Sequence, residues 1–350
     1  MSTSIQSTQL SQDLIQVGES WTQKNREKFA IARLPKAKLR DARNGVKDTT
    51  YQLPKLPNSL LDGKGLQDWE PGEAARPSKK LGKESVTVTV TGKQSEVIDR
   101  PMKRDGKHVY ADLENNVVSM CLSQCYQGID IAAKAAMQNT AYFSTAVAFT
   151  NGGGALDAAT DFANQKPDID INTTLQPLRK WRSMGLSLEM HIDFHVAMVL
   201  GRHPVYTGAG TGSAIASQLD IEAIKAVLKR VHALDDVVIY ENSYNEAREG
   251  QTEDINHTMN GLLFVGAFDR RQDLFDIEAD NVANTPDGCI VIGLGREPET
   301  MTWDDVGAES TYFVGRTAFS VYCPRSASAA GSMGRFFQAS GAGGIFTTLP

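Results

Sequence analysis

LSLEMHIDFHVAMVLGRHP, Leu186 to Pro204, changes its period halfway along. Leu186, Leu188, Met190 and Ile192 alternate with Ser187, Glu189 and His191, a period of two that marks a strand. Beyond Asp193 the run Phe194-His-Val-Ala-Met-Val-Leu200 is continuously apolar apart from its histidine, and it stops before Gly201 and His203-Pro204. Asp193 has the chemistry of a helix N-cap and Gly201 that of a C-terminal stop, so the stretch predicts strand, cap and helix in direct succession. HIDFH also holds three common metal ligands, His191, Asp193 and His195, and a metal-dependent enzyme built on them is the competing reading. The change of period counts against it. His191 ends a strand and His195 falls in the first turn of a helix, so they do not share a helical face as the histidines of a zincin helix do.

Outward from this joint the elements alternate without a βαβ repeat, which disfavours a dinucleotide-binding sheet. Downstream, IEAIKAVLKRV (221–231) is an amphipathic helix with Ile221, Ile224, Leu228 and Val231 on one side. VVIYENSYN begins as a strand. GLLFVGAF (261–268) and CIVIGLG (289–295) are short apolar strands, and TYFVGRTAFSVYC (311–323) is a late strand or pair of strands. Upstream, Pro177 to Gly185 predicts a short helix carrying Leu178 and Trp181. Leu113, Val117, Cys121, Cys125, Ile129 and Ala133 recur every four residues behind Asp112, a good N-cap, and predict a helix over 113–139, roughly 40 Å long. SVTVTVTG (85–92) alternates valine and threonine as a strand, and QSEVIDR (94–100) is its expected hairpin partner across Gly92-Lys93. Between Tyr51 and Glu84, four prolines (Pro54, Pro57, Pro71, Pro77) and four glycines (Gly63, Gly65, Gly72, Gly82) forbid a regular helix or a central strand. Residues 1–48 are polar with scattered apolar positions, and a short helix is expected within 20–32.

Composition bounds the function. The chain has 350 residues, 41% apolar and 22% charged, which excludes a disordered, collagen-like or coiled-coil protein. No apolar run reaches the roughly 18 residues of a membrane span, and the N-terminus lacks the pattern of a secretory signal. Cys121, Cys125, Cys289 and Cys323 form no C-x-x-C pair, which fits a reducing site of synthesis. The net charge of −6 is uneven: residues 21–50 carry +6, from Lys24, Arg26, Lys28, Arg33, Lys36, Lys38, Arg40, Arg43 and Lys47 against three acids, and the remainder carries −12. A basic arm on an acidic body suits an acidic partner, nucleic acid or another copy of the chain. GAGTGS (208–213) lacks the lysine of a phosphate loop, and GLGREPE (293–299), running into Pro298, is expected to be a turn. Asp235-Asp236 and Asp304-Asp305 are expected to be solvated or capping acids. No G-x-S-x-G elbow and no base-and-nucleophile grouping is present, so no active site, catalytic residue, metal or cofactor is expected.

The positive signal is the order of motifs over 178–268. LRKWRSMG is followed by VLGRHP, with Leu200, His203 and Pro204. Next comes the 221–231 helix, then a strand ending in Tyr244, Asn245, Ala247, Glu249 and Gly250, then Gly261-Leu-Leu-Phe-Val. This order resembles the major capsid proteins of tailed bacteriophages, the Hong Kong 97-type fold. The match lacks the tryptophan usual in the last motif. The resemblance implies an α+β capsid fold with an N-terminal arm (1–48), an extended E-loop region (49–105), a peripheral domain (106–200) with a spine helix at 113–139, an axial domain (201–310) and a C-terminal return (311–350). It implies a structural protein and no enzyme: a subunit that assembles with itself into pentamers and hexamers of an icosahedral head around double-stranded DNA. It further implies portal, scaffolding and possible decoration proteins as partners, non-specific contact with the packaged DNA, no membrane, and a place in the virion after assembly in the host bacterial cytoplasm. An encapsulin-type shell is the close alternative, and a tail or scaffold protein a more distant one. In this frame Leu200, His203, Pro204, Tyr244, Asn245, Glu249 and Gly250 are assembly and fold residues, and the arm's Lys24, Arg26, Lys28, Arg33, Lys36, Lys38, Arg40 and Arg43 are basic contacts.

Overall fold

The structure, a computed structural model, describes residues 12–39, 49–55, 82–88, 94–99, 113–143, 149, 165–207, 220–245, 252, 255–271, 274–277, 287–305, 310–324 and 333–337. The 113–139 expectation is met by α3, Leu113–Met137, after two earlier helices, α1 (Gln12–Asn25) and the single turn α2 (Ala30–Arg33). One face of α3 is buried through Val118, Cys121, Leu122, Cys125, Tyr126, Ile129, Ala133, Ala136 and Met137, the spacing of an amphipathic helix. Cys121 and Cys125 are buried thiols inside that stripe. Asp112, the expected cap, lies outside the described residues.

Among the described residues there are two larger sheets, of which the first packs against this helix. The first holds five strands: β1 (Lys36–Leu39), β4 (Gln94–Asp99), β10 (Leu274–Ile277), β11 (Val291–Asp305) and β12 (Ser310–Tyr322), in the order β10-β1-β11-β12-β4. The second holds β5 (Ser187–Asp193), β6 (Asp236–Tyr240), β9 (Leu263–Phe268) and β13 (Gly334–Phe336), in the order β13-β9-β5-β6. β5 runs parallel to β6 and antiparallel to β9, and six of its seven residues are buried. The period-two pattern implied one wet face. Because β5 is an interior strand, its polar face is buried as well and takes its partners from the protein.

The joint after β5 forms as expected, with two corrections. Helix α5 (an earlier short helix, α4, is Pro167–Leu175) spans Phe194–Arg202 directly after Asp193. Asp193 has the extended backbone of a cap, but its side chain makes no capping bond. Gly201 does not stop the helix; it lies inside it, and His203 is the C-terminal cap, its N–H bonded to Leu200 O at 3.0 Å. Pro204 opens the one-turn helix α6 (Pro204–Thr207), where its missing N–H costs nothing. Helix α7 (Ile221–His232) follows, capped by Asp220, whose carboxylate accepts from the Ala223 amide at 2.7 Å. The helix expected at Pro177–Gly185 is a 3₁₀ segment, Gln176–Met184, closed by Gly185 at φ 78, with Leu178 and Trp181 fully buried.

Three further expectations are corrected. The valine–threonine strand is β3 (Gly82–Val88), and it does not pair with 94–99. It pairs antiparallel with β2 (Thr49–Lys55), while β4 pairs antiparallel with β12. The Gly-Lys turn signal was local, and the distant ladder of β12 displaced it. Pro54 lies in β2, a strand of a two-stranded ladder, where a missing donor is tolerated. GLGREPE is no turn: it runs inside β11, and the pairing with β12 absorbs it through register shifts between Leu294 and Arg296 and between Arg296 and Glu299. The helix expected within 20–32 is instead α1, a 3₁₀ turn (Arg26–Lys28) and α2, because Phe29, Ala30, Ile31 and Leu34 are core residues.

β12 crosses α3 at close range. A Cβ on Gly315 would stand 2.7 Å from Cys121 O and 2.9 Å from Cys125 Sγ, so no side chain fits without moving helix backbone. Gly315→Ala is therefore expected to destabilise the protein by about 1–3 kcal/mol, as overpacking does, read as a lowered urea midpoint.

Candidate functional site

The polar face of β5 forms a buried network. Glu189, 1% exposed, receives the Arg270 guanidinium in a two-point fork, Nε to Oε1 at 2.7 Å and Nη2 to Oε2. Burial pushes the Glu189 carboxyl up, but the Arg270 bonds together with His191 outweigh it and hold the group below its ordinary range. His191 is fully buried, with Nδ1 2.8 Å from Tyr240 Oη and Nε2 3.4 Å from Glu189 Oε2. Burial holds its pKa down against the pull of Glu189. Arg270 already neutralises that carboxylate, so His191 is a neutral imidazole accepting from the tyrosine hydroxyl, not half of an ion pair.

A second buried carboxylate anchors the N-terminal segment. Asp130, in the stripe of α3, accepts from the Ala30 amide at 2.7 Å, Asn242 Nδ2 at 3.0 Å and Thr258 Oγ1 at 3.2 Å. Asn242 Nδ2 also donates to Lys28 O at 2.8 Å, Arg270 donates to Arg33 O, and Ile292 N donates to Pro35 O at 2.9 Å. Residues 28–35 are thus held by backbone bonds to helix, loop and sheet, beside the packed rings of Trp21, Phe29 and Tyr126. Burial pushes Asp130 up to about 7 against its three donors.

The expected motif residues fall in separate places. Leu200 lines a shallow apolar dimple with Gly201, Tyr206, Ile224, Val227 and Leu228. His203 is fully buried, edge-on to Tyr206, and Tyr206 Oη lies 3.0 Å from His232 Nε2. His232 Nδ1 lies 3.2 Å from Asn172 Oδ1, so a neutral ring carrying its proton on Nδ1 satisfies both neighbours; burial, then Arg179, pushes its pKa down to about 4. Tyr244 and Asn245 form β7 (Ser243–Asn245), which pairs with β8 (Ile255–His257). Glu249 and Gly250 lie outside the described residues.

The basic residues of the first segment are largely turned to the chain itself. Lys24 lies in the last turn of α1, Arg26 bridges Glu297 at 3.2 Å, Lys28 Nζ reaches Asn25 Oδ1, and Arg33 Nε donates to Glu27 O. Lys36 and Lys38 lie in β1. Arg40 and Arg43 lie outside the described residues, as does the GAGTGS stretch, 208–213. Of the paired acids, Asp235 is neither merely solvated nor a cap: it takes a two-point fork from Arg182 and accepts from the Leu188 amide, while Asp236 pairs with Lys229.

The competing metal trio does not assemble. His191 is engaged by Tyr240 and Glu189, whereas Asp193 accepts from the Gly261 amide and His195 packs on His257. Among the described residues no three His, Cys, Asp or Glu side chains converge as a metal ion requires. Asp130, Glu189, Asn242, His257 and Arg270 were not singled out from the sequence. Asp130 did carry a signal, as an acid inside an otherwise apolar helical stripe. The other four are joined only by the fold.

No family model and no curated protein matches the chain. Solved structures do match. A phage-related protein from Bordetella bronchiseptica RB50 superposes with a TM-score of 0.56 at 11% identity, over 95% of this chain and 98% of that one. A virus-like particle from Pyrococcus furiosus (TM-score 0.49, 9% identity, 93% and 98% covered) and the satellite phage P4 procapsid (TM-score 0.46, 9% identity, 91% and 98% covered) also match. The first likeness shows a shared fold. The chain has the mixed α+β architecture that its motif order implied, and shares that fold with the phage-related protein.

Asp130→Ala would leave the Ala30 amide and one N–H of Asn242 without an acceptor, while Thr258 Oγ1 keeps Asn242 O at 3.3 Å. It is expected to cost about 2–4 kcal/mol, measured by urea unfolding. His232 titrates near 6.5 when unfolded, so its depressed folded pKa makes the neutral ring a source of stability above that pH. That stability is lost as pH falls from 6.5 through about 4. The stability gap between the native protein and His232→Gln should therefore shrink over that range, by an amount on the order of 3 kcal/mol.

Proposed function

We propose that this chain is a shell-forming structural subunit, the major capsid protein of a tailed phage, and not an enzyme. The observation that carries the reading is the course it shares with a phage-related protein over nearly the whole of both chains. In this reading the subunit joins itself in pentamers and hexamers of an icosahedral head, around double-stranded DNA held without sequence specificity. Portal, scaffolding and decoration proteins are its further partners. It assembles in the bacterial cytoplasm and ends in the virion. Among the described residues no helix is long and apolar enough to cross a membrane.

The physical features support a subunit that is completed by its neighbours. The β2–β3 ladder is two strands wide and hydrogen-bonded to no other described strand. Such a ribbon is marginal in water and exposes strand edges, and a neighbouring copy removes both liabilities. Residues 49–105 would act as the E-loop, α3 as the spine of a peripheral domain over 106–200, 201–310 as the axial domain and 311–350 as the return. Of the expected arm, 1–48, the part from 12 to 39 packs on α3 and inside the five-stranded sheet, which leaves the flanking residues to reach a neighbour. Head-to-tail contacts that close give rings, so one such interface repeated serves both five- and six-membered units.

The test is negative-stain electron microscopy of the full-length protein, with sedimentation velocity, after expression alone and with the scaffolding protein of its source phage. Closed particles or five- and six-membered rings are expected, with nuclease-protected DNA in particles taken from virions. Open tubes, or protein cargo in place of DNA, would overturn the phage-head assignment. Replacing residues 49–88 by a short Gly-Ser linker should abolish particles while shifting the protomer's melting temperature by only a few degrees.

A further inference from the structure

The corner where β5 runs into α5 meets the root of the β7–β8 hairpin, and three titratable side chains gather there. Asp193 is fully buried. Its Oδ2 accepts from the Gly261 amide at 3.3 Å, while its Oδ1 is buried with no hydrogen-bond partner. His195, in the first turn of α5, meets His257, the last residue of β8, edge to face with ring centroids 4.4 Å apart at 82°. Phe194 stacks on the same His257 ring, at 6.4 Å and 12°. His257 Nδ1 is buried with no hydrogen-bond partner. The hairpin is therefore fastened to this corner through one imidazole, wedged between a phenyl ring and a second imidazole.

We propose that this cluster is a proton-operated fastening, in which the uncharged His195–His257 pair holds the β7–β8 hairpin against the β5–α5 corner and protonation of the pair releases it. Edge-to-face contact is favourable for neutral rings. One imidazolium can be tolerated, because the Asp193 carboxylate faces the pair. Two cannot, because rings in contact would carry like charges at short range in a half-buried site. The charged groups that act on His257 are Asp193 and His195; on Asp193 burial acts first and pushes the carboxyl up, against the Gly261 amide, the two histidine rings and the His195 amide. The paired strand β7 offers Ser243, Tyr244 and Asn245, none charged near neutral pH. Burial, reinforced by His195, holds His257 below the ordinary histidine range against the opposing pull of Asp193, so the folded joint resists charging there. On the far side of the same root Asp130 holds Asn242 and Thr258, and the test must separate that carboxyl from the histidines.

Hydrogen–deuterium exchange of the full-length protein at pH 7.5 and 5.0, corrected for the intrinsic rate and referred to α3, provides the test. Peptides covering 243–257 should lose roughly tenfold in protection at pH 5.0, the effect of about one pKa unit. His257→Phe keeps the stack on Phe194 without a titrating group, and its protection should change less than about twofold. His195→Phe, at a half-buried position, gives the same reading should the first variant fail to fold. Equal protection of the native protein at both pH values would overturn the proposal. So would a pH response that survives in both phenylalanine variants and disappears in Asp130→Asn, which would move the proton to Asp130.

Discussion

Asp130 sits where a leucine would be unremarkable, on the buried face of a 25-residue helix, and three separate parts of the chain meet on its carboxyl group. The Ala30 amide belongs to the N-terminal segment, Asn242 precedes β7, and Thr258 follows β8. Each brings a donor that burial would leave unsatisfied elsewhere. An acid in an apolar stripe opposes folding unless its lone pairs are filled, and filling them requires all three segments in register. The packing of Phe29, Ile31 and Leu34, the entry of β1 into its sheet, and the closed root of the hairpin all follow from this one demand. Burial of apolar area supplies most of the driving force. The carboxyl group determines which of the compact arrangements is reached.

Glu189 repeats the arrangement on the four-stranded sheet. It lies on the polar face of an interior strand, and Arg270 reaches it from the chain end just after β9 while also holding Arg33 O. Both carboxylates therefore hold the same N-terminal segment from opposite ends, through main-chain groups at residues 30 and 33. Backbone contacts of this kind are insensitive to side-chain identity, which fits a chain that shares its fold with a phage-related protein at only 11% identity.

Local periodicity made some of this fold legible and left the rest hidden for a physical reason. The 113–137 helix, the 187–193 strand and the helix after it were readable because their apolar spacing is a property of the element itself. Strand partners were not readable. β3 and β4 are separated by a plausible turn, yet each pairs elsewhere, because ladder energy depends on side chains that the turn does not contain. The 293–299 stretch read as a turn on its glycines and proline, and the long partner β12 carries it as a pair of register shifts. At the candidate site the order of motifs pointed to the fold, but His203, Tyr244 and Asn245 lie in different places. The network joining Asp130, Asn242, Thr258, Glu189 and Arg270 leaves no spacing for a sequence to display.

β1 pairs in parallel with β10 on one side and β11 on the other. Its four residues thus occupy an interior position whose two neighbours are synthesised some 240 residues later. At elongation rates of about 5–20 residues per second, the segment emerges from the ribosome on the order of 10–50 s before its slot exists. During that interval it is a strand without its sheet partners, among other growing copies. Its sequence, Lys36-Ala-Lys-Leu39, puts a charge at every second position, a pattern that discourages edge-to-edge pairing with a stranger. The same lysines thereby keep the first of the described strands available for a sheet that is complete only once β12 has been made.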